Sequence, residues 1–483
     1  MSSKTNSLAH IRHGWMPLVA AVALAPVADG ANTIALAAWL FPLFLLRFVR
    51  LERPFWGLLI AYIVLTGAFA FQFRSMLPLP GVGYYLYIAV QGLLMLAPFA
   101  LDRLFAVKRP TILGTLVFPF ACVSVEYLVS LAPFGTWGAR AYTQAGNLPV
   151  MQLLSVTGLW GITFLIAWFA AGANAIWEHG LKQSQKVAWV VGTAVVVVFL
   201  AGGVRLAFLP PRGQTVRVAS LSARDAAPSA KSEGNTTYRT RLAATNRDLL
   251  ERAGREMQAG AKIVFWAEGN ASVFKADEAA FVAQGGALAK RYHAYLGMAL
   301  AVIYDGHPAP FENKLVLVGP DGKVVWSYNK TMPVPGPEAS MIVPGDQRQK
   351  VADTAYGRLS GIICFDGDFP SVVARAGMLR ADFVLDPAND WRAIDPWHTQ
   401  MASFRAVEQG FSLIRQTSHG LSAAYDYEGH VLATMDHYQS TDHALVAQMP
   451  IRGVRTLYTV FGDWLAWASL AGLAALVVAK RRL

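Results

Sequence analysis

Leu359-Ser360-Gly361-Ile362-Ile363-Cys364-Phe365-Asp366, continuing into Gly367-Asp368-Phe369-Pro370, runs an apolar segment straight into a thiol. Two other segments do the same with other reactive groups. Ile263-Val264-Phe265-Trp266-Ala267 runs into Glu268, and Val324-Val325-Trp326-Ser327-Tyr328-Asn329 runs into Lys330. Buried strands carry polar side chains at their ends, because an unpaired polar group in the middle costs several kcal/mol. Taken singly, each residue has a plain reading. A lone cysteine is usually a small buried hydrophobe, a lone glutamate a loop residue, and a lone lysine a surface charge. Together they form a working set. A cysteine nucleophile needs a base and a positive group for the oxyanion that forms on attack. Carboxylate and ammonium supply both without a histidine.

Around these segments lie other short runs rich in β-branched residues: Val216–Leu221, Tyr295–Ile303, Lys314–Val318, Phe383–Leu385 and Ser412–Gln416. Helical patterns at 238–258 and 276–292 separate some of them. Leu242, Leu249 and Leu250 share one face of the first. Strands alternating with helices predict an α/β domain. This texture fills residues 213–459, which hold 25 basic and 25 acidic residues.

The rest of the 483-residue chain differs. It carries 17 basic and 6 acidic residues, the source of the whole net charge of +11. Over the full length 54% of residues are apolar and only 15% charged, against about 25% charged in soluble domains. Apolar runs lie at 14–28, 31–46, 55–73, 82–101, 111–132, 149–177, 187–209 and 460–479. Several reach the roughly 20 residues that cross a bilayer. Lys4, Arg12, Arg47, Arg50, Arg53, Arg103, Lys108, Arg109, Lys182, Lys186, Lys480, Arg481 and Arg482 fall on one side of these runs. Arg74 and Arg140 fall on the other. About eight spans, both termini cytoplasmic and residues 213–459 outside, satisfy the positive-inside rule. The expected organisation is a membrane domain over 1–212, an extracytoplasmic catalytic domain over 213–455 and a last membrane helix over 456–483. A rival reading of the start is a cleaved signal peptide, with Ala28-Asp29-Gly30 as a weak cleavage site. The basic excess sits beside apolar runs rather than on a folded face, so no nucleic-acid partner is expected.

Two cysteines exclude a disulfide scaffold and a four-cysteine metal site. Cys122 lies in an apolar run and reads as packing. His430, His437 and His443 fit no metal spacing, and neither metal nor cofactor is expected. Glu126 is an acid within a predicted span.

The order Glu268, Lys330, Cys364 resembles the nitrilase superfamily of carbon–nitrogen hydrolases. Tyr328-Asn329-Lys330 with Pro335 and Glu338 is similar to that family's lysine motif and second glutamate. Gly361–Asp366 with Phe369-Pro370 is similar to its cysteine elbow. Asn389-Asp390-Trp391, His398, Met401, Arg405-Ala406, Glu408 and Arg415 are similar to the segment that follows. An insertion before a last span resembles the membrane-embedded apolipoprotein N-acyltransferase branch. Tyr142-Thr143-Gln144, Gln152-Leu153, Gly158-Leu159-Trp160-Gly161, Thr456–Thr459 and Phe461–Trp464 match that branch too. The chain departs from the pattern at Ala267, Asn270, Phe365 and Asp366.

The resemblance implies an α-β-β-α sandwich inserted in a polytopic helical membrane domain, in the cell inner membrane with the catalytic domain periplasmic. It implies a thioester on Cys364, with Glu268 as base, and Lys330 plus a backbone N–H near Cys364 as oxyanion donors. Ping-pong kinetics follow from such an intermediate. Glu338 orients Lys330 or shares its proton traffic, Asp366 and Phe365 support the loop, and Asn389, Asp390 and Arg415 are supporting polar groups. The implied partners are a phospholipid acyl donor and a diacylated lipoprotein acceptor. Trp137 and Trp464 are candidates for the lipid access route, or members of an interfacial aromatic belt. Three alternatives stay open: a membrane-anchored amidase or nitrilase using water, a paralogous acyltransferase with another acceptor, and a non-catalytic membrane scaffold.

Overall fold

The computed structural model describes residues 4–79, 81–105, 110–211, 213–224, 235–304, 310–336 and 338–482. Lys108 and Arg109 of the charge argument lie outside the described residues, as do the side chains of Lys4, Arg12, Lys480, Arg481 and Arg482. The chain divides into two compact units, Met1–Leu209 with Phe461–Leu483, and Pro210–Val460.

The first unit is helical. Its long helices are α1 (Lys4–Leu24), α2 (Ala35–Leu51), α3 (Pro54–Gln72), α4 (Val82–Leu104), α5 (Ile112–Ser130), α6 (Leu159–His179) and α7 (Gln185–Phe208). Five of them, α3 to α7, are long and apolar enough to cross a membrane. Among the described residues, five of the eight apolar runs thus yield a helix of full spanning length. Shorter apolar helical stretches lie at Gly14–Val27, Leu148–Thr157 and Trp464–Ala479. The run at 149–177 is broken by Gly158, whose φ of 63° separates the turn Leu154–Thr157 from α6. The run at 31–46 becomes a 17-residue helix ending on Arg50 and Leu51. Bare apolar side chains such as Trp189, Val196, Leu200 and Val204 cover α7, a face suited to lipid rather than water. Inside the unit, several buried polar groups are paired. Arg50 donates twice to Asp102, both at 2.8 Å, and Thr163 donates to Glu126 at 2.7 Å. Gln144, fully buried, accepts from Trp39 Nε1 and Asn147 Nδ2, each at 3.1 Å.

The second unit is an α/β domain of thirteen described strands. They are β1 (Thr215–Leu221), β2 (Ile263–Trp266), β3 (Ala271–Phe274), β4 (Tyr295–Ile303), β5 (Phe311–Val318), β6 (Val324–Asn329), β7 (Val351–Thr354), β8 (Gly357–Gly361), β9 (Phe383–Asn389), β10 (Ser412–Ser418), β11 (Leu421–Tyr425), β12 (Val431–Asp436) and β13 (Ala444–Pro450). One sheet runs β13-β1-β2-β4-β5-β6, with β3 on β4; the other runs β12-β11-β10-β9-β8-β7. The parallel centres, β1-β2-β4 and β8-β9-β10, are largely buried, and β2 and β4 read as near-continuous apolar runs. Helices α8 (Asn235–Gln258) and α9 (Glu278–Tyr292) pack on the first sheet. Helices α10 (Pro370–Met378) and α11 (Trp397–Gln409) pack on the second. The inner faces of the two sheets meet in one core that includes Phe265, Leu315, Leu385 and Ile414. Gly297 and Gly361 lie where a Cβ would press on Phe265, Leu315, Trp326 or Leu385, so the sheets close tightly just before the cysteine. This is the expected α-β-β-α sandwich.

Gly410 ends α11 in left-handed backbone (φ 75°), and Val454 N–H donates to its carbonyl at 2.7 Å. A Cβ there would overlap the Val454 carbonyl oxygen. Gly410→Ala is therefore expected to cost about 2 kcal/mol or more, from left-handed strain and a backbone clash together. Thermal unfolding of the detergent-solubilised chain reads this as a lowered Tm; an unchanged Tm would show that the segment moves freely.

Candidate active site

The three strand-end groups meet in the second unit. Glu268 follows β2 and Lys330 follows β6. β8 stops at Gly361, so Cys364 is not the last strand residue. It opens a short 3-10 turn, Cys364–Asp368, three residues later. Lys330 is 0% exposed. Its Nζ lies 2.8 Å from Glu268 Oε1 and 2.7 Å from Glu338 Oε2, a cation clamped by two carboxylates. Burial works against the ammonium, but Glu268, Cys364 and Glu338 outweigh it and hold its pKa well above the ordinary lysine value. Glu338 is fixed in turn by the Val334 N–H at 2.8 Å, and burial pushes its carboxyl up. Burial also pushes the Cys364 thiol well up, with the Glu268 charge adding to it and Lys330 and Arg415 opposing. The resting sulfur is thus a thiol, and attack requires a base.

Cys364 sits at φ 51°, unusual for a residue with a side chain. Two aspartates hold it there. Asp386, on β9, accepts the Cys364 N–H at 2.9 Å and the Arg415 Nη1 at 2.7 Å. That N–H is therefore engaged. The Phe365 N–H, second in the 3-10 turn, has no carbonyl three residues back within the turn. Asp366 is fully buried and accepts four bonds: from Thr331 N–H (3.0 Å), Met332 N–H (2.8 Å), Ile363 N–H (3.1 Å) and the Tyr328 hydroxyl (2.8 Å). It ties the lysine loop to the cysteine loop, and burial pushes its carboxyl up to about 7. Phe365 is buried edge-on against Phe369, ring centres 5.3 Å apart.

Behind the cysteine lies a buried ionic group. Arg415 Nη2 is 4.0 Å from Cys364 Sγ and 2.9 Å from Asp390 Oδ1, which also meets His398 Nδ1 at 2.7 Å. His398 Nε2 faces Asp368 Oδ1 at 3.2 Å. Burial and Arg415 pull His398 down, but Asp368 and Asp390 outweigh them and hold it up to about 9. Cys364, Asp390 and His398 have ligand atoms within 4.8 Å of one another, the arrangement of a metal trio among the described residues. Asp390 already bonds both His398 and Arg415, whose positive charge stands where a cation would sit.

Sequence reasoning missed Asn313 on β5. Its Nδ2 donates to Glu268 Oε1 at 2.6 Å, on the oxygen that Lys330 also grips. Only the pairing of β5 with β4 and β6 brings it there, and no local pattern announces it. Asn270 bonds Ser418 Oγ at 2.8 Å and the Ala223 N–H, joining the loop after Glu268 to the end of β10. Asn389 meets His419 Nδ1 at 3.1 Å. Trp137 is 5% exposed within the first unit. Trp464, at 41%, donates its indole N–H to the Val156 carbonyl at 2.9 Å.

Residues 13–172 match the apolipoprotein N-acyltransferase N-terminal domain, and residues 223–457 match the carbon–nitrogen hydrolase domain. Similar chains include the apolipoprotein N-acyltransferase of Bradyrhizobium diazoefficiens, 27% identical over 423 residues, 80% of this chain and 76% of that one. The chain belongs to the apolipoprotein N-acyltransferase family. The Geobacter metallireducens member is 26% identical over 391 residues, covering 74% of this chain and 72% of its own. The Rhodopseudomonas palustris member is 26% identical over 470 residues, covering 88% and 83%. Among solved structures, an amidase from Nesterenkonia sp. is 20% identical, covering 50% of this chain and 92% of that chain, with a TM-score of 0.41. The chain is thus a membrane protein carrying a carbon–nitrogen hydrolase domain.

The raised pKa of His398 sets a pH dependence. The folded chain keeps a proton that the unfolded chain sheds near 6.5. This stabilisation is full below the unfolded value and is lost as pH rises through about 9. The stability advantage of wild type over His398→Gln is expected to shrink across that window in thermal unfolding. Curves that stay parallel would contradict a protonated His398.

Proposed function

We propose that the chain moves a fatty acyl group from a membrane phospholipid, through a thioester on Cys364, to the free amine of diacylglyceryl-cysteine at a lipoprotein's N-terminus. The observation that carries this reading is the clamp of Lys330 between Glu268 and Glu338 beside a buried cysteine, in a chain that combines both family domains. The family name supplies the acceptor class.

Glu268 takes the proton of Cys364 as the sulfur attacks the ester carbonyl. Lys330 and the Phe365 N–H face the oxygen that becomes negative. The carbon–oxygen bond breaks, the proton passes to the departing alkoxide, and lysophospholipid leaves. The amine then attacks the thioester, Glu268 takes its proton, and the thiol is restored as the amide forms. Because Lys330 is held as an ammonium, it gives a full positive charge in a dry site, where such stabilisation is strongest. Glu338 and Asn313 act as positioning residues on Lys330 and Glu268. No metal or cofactor enters these steps.

Membrane anchoring fits the substrates, since each buried CH₂ that left the bilayer would lose roughly 0.8 kcal/mol. The charge distribution supports an inner-membrane location with cytoplasmic termini, a periplasmic catalytic domain over 213–455, and flanking membrane parts over 1–212 and 456–483. Trp464, with its exposed ring, suits a lipid-facing role better than the enclosed Trp137.

Intact-protein mass spectrometry of the full chain with phospholipid in detergent tests the reading. Wild type is expected to gain a fatty-acyl mass that Cys364→Ala lacks and that a diacylated lipopeptide amine removes. Absence of both adduct and lysophospholipid would overturn the donor assignment. Glu268→Gln and Lys330→Met should each slow acylation about 10²-fold or more; near wild-type rates in either would remove that residue from the mechanism.

A further inference from the structure

The acyl-transfer steps leave one surface of the second unit unused. It forms at the end of α10, where Met378 is 62% exposed and Leu379 is also exposed. Arg380 follows, exposed and in left-handed backbone at φ 59°. The segment after β13 lies against this tip. Gly453 N–H donates to Asp382 Oδ1 at 2.9 Å, and Arg452 Nη1 is 3.8 Å from Asp382 Oδ2. Val454, Leu457 and Val460 continue the exposed apolar surface, with Arg455 exposed among them. Asp382, the acid shared by these segments, is occupied by the Gly453 and Arg358 N–H groups. The patch is therefore apolar with a basic excess.

A contiguous apolar surface marks an interaction site, and the path of the chain says with what. Nine residues separate Val454 from Trp464, where the last apolar helix, α12 (Trp464–Arg482), begins. Five of them are coiled in the short helix Leu457–Phe461, so the span is at most about 25 Å. Apolar side chains flanked by arginines have the composition of an interfacial face. The former enter the boundary of the acyl chains, and the guanidinium groups lie on lipid phosphates. We infer that the α10 tip and the 452–460 segment form a lipid-contacting face that rests on the membrane surface. The inference depends on α12 lying in a bilayer and is independent of the acyl-transfer reading.

The test places one environment-sensitive nitrobenzoxadiazole label on the full chain in nanodiscs of phosphatidylethanolamine and phosphatidylglycerol. Cys122→Ser and Cys364→Ala remove the native thiols, both buried. Labels go on Met378→Cys, on Val454→Cys, and on Ala287→Cys, an exposed site on α9 in the helix layer of the other sheet. Labels at 378 and 454 are expected to emit to the blue of the label at 287 and to lose fluorescence to doxyl-labelled lipid. Emission and quenching at both sites equal to those at 287 would overturn the inference and leave the face to solvent or a protein partner. The readout does not use catalysis, so it stands or falls separately from the proposed reaction.

Discussion

A protonated amine sealed from water must be matched by negative charge, and Lys330 is matched twice. Glu268 and Glu338 reach its Nζ from two different loops. Removing one partner of a buried ion pair typically costs 3–5 kcal/mol, because a bare charge is left behind. The clamp therefore fixes more than a side chain. It requires the end of β2, the end of β6 and the loop carrying Glu338 to converge, and the first sheet takes the register that allows it. Asn313 is drawn into the same set, since β5 lies between the strands that flank it.

The cysteine is held by a separate device on the second sheet. Its positive φ is strained for a non-glycine residue, and the strain is carried by Asp386 below and Asp366 beside it. Asp386 is itself held by Arg415, which reaches toward the sulfur. Asp366 spans to the lysine loop. The two sheets thus deliver the Glu268–Lys330 pair and Cys364 separately, and one short carboxylate, Asp366, ties their loops together. Asp366, one of the positions where the chain departs from the family pattern, accepts four bonds from the two loops it joins.

Much of this was legible in the sequence. Glu268, Lys330 and Glu338 stood out because each follows an apolar run or a recognisable motif, and the central strands β2 and β4 announced themselves as near-continuous apolar stretches. The edge strands of the second sheet did not. β7 and β12 are half exposed and mix charge with apolar residues, so no period-two signal survives. The roles of Asp386 and Asn313 were invisible because they depend on pairings between strands distant in the chain. Hydropathy alone also did not delimit the helices within the apolar runs. Composition cannot see a backbone break such as Gly158, nor that a run of the right length folds into two short turns and a helix.

In the proposed reaction a cysteine carries the acyl group between two substrates that never meet. Initial rates measured while phospholipid and diacylated lipopeptide are both varied address this most directly. A covalent intermediate predicts parallel lines in the double-reciprocal plot, with lysophospholipid released before the lipopeptide binds. Lines that intersect would mean that both substrates occupy the site together, and would contradict the thioester at the centre of the mechanism.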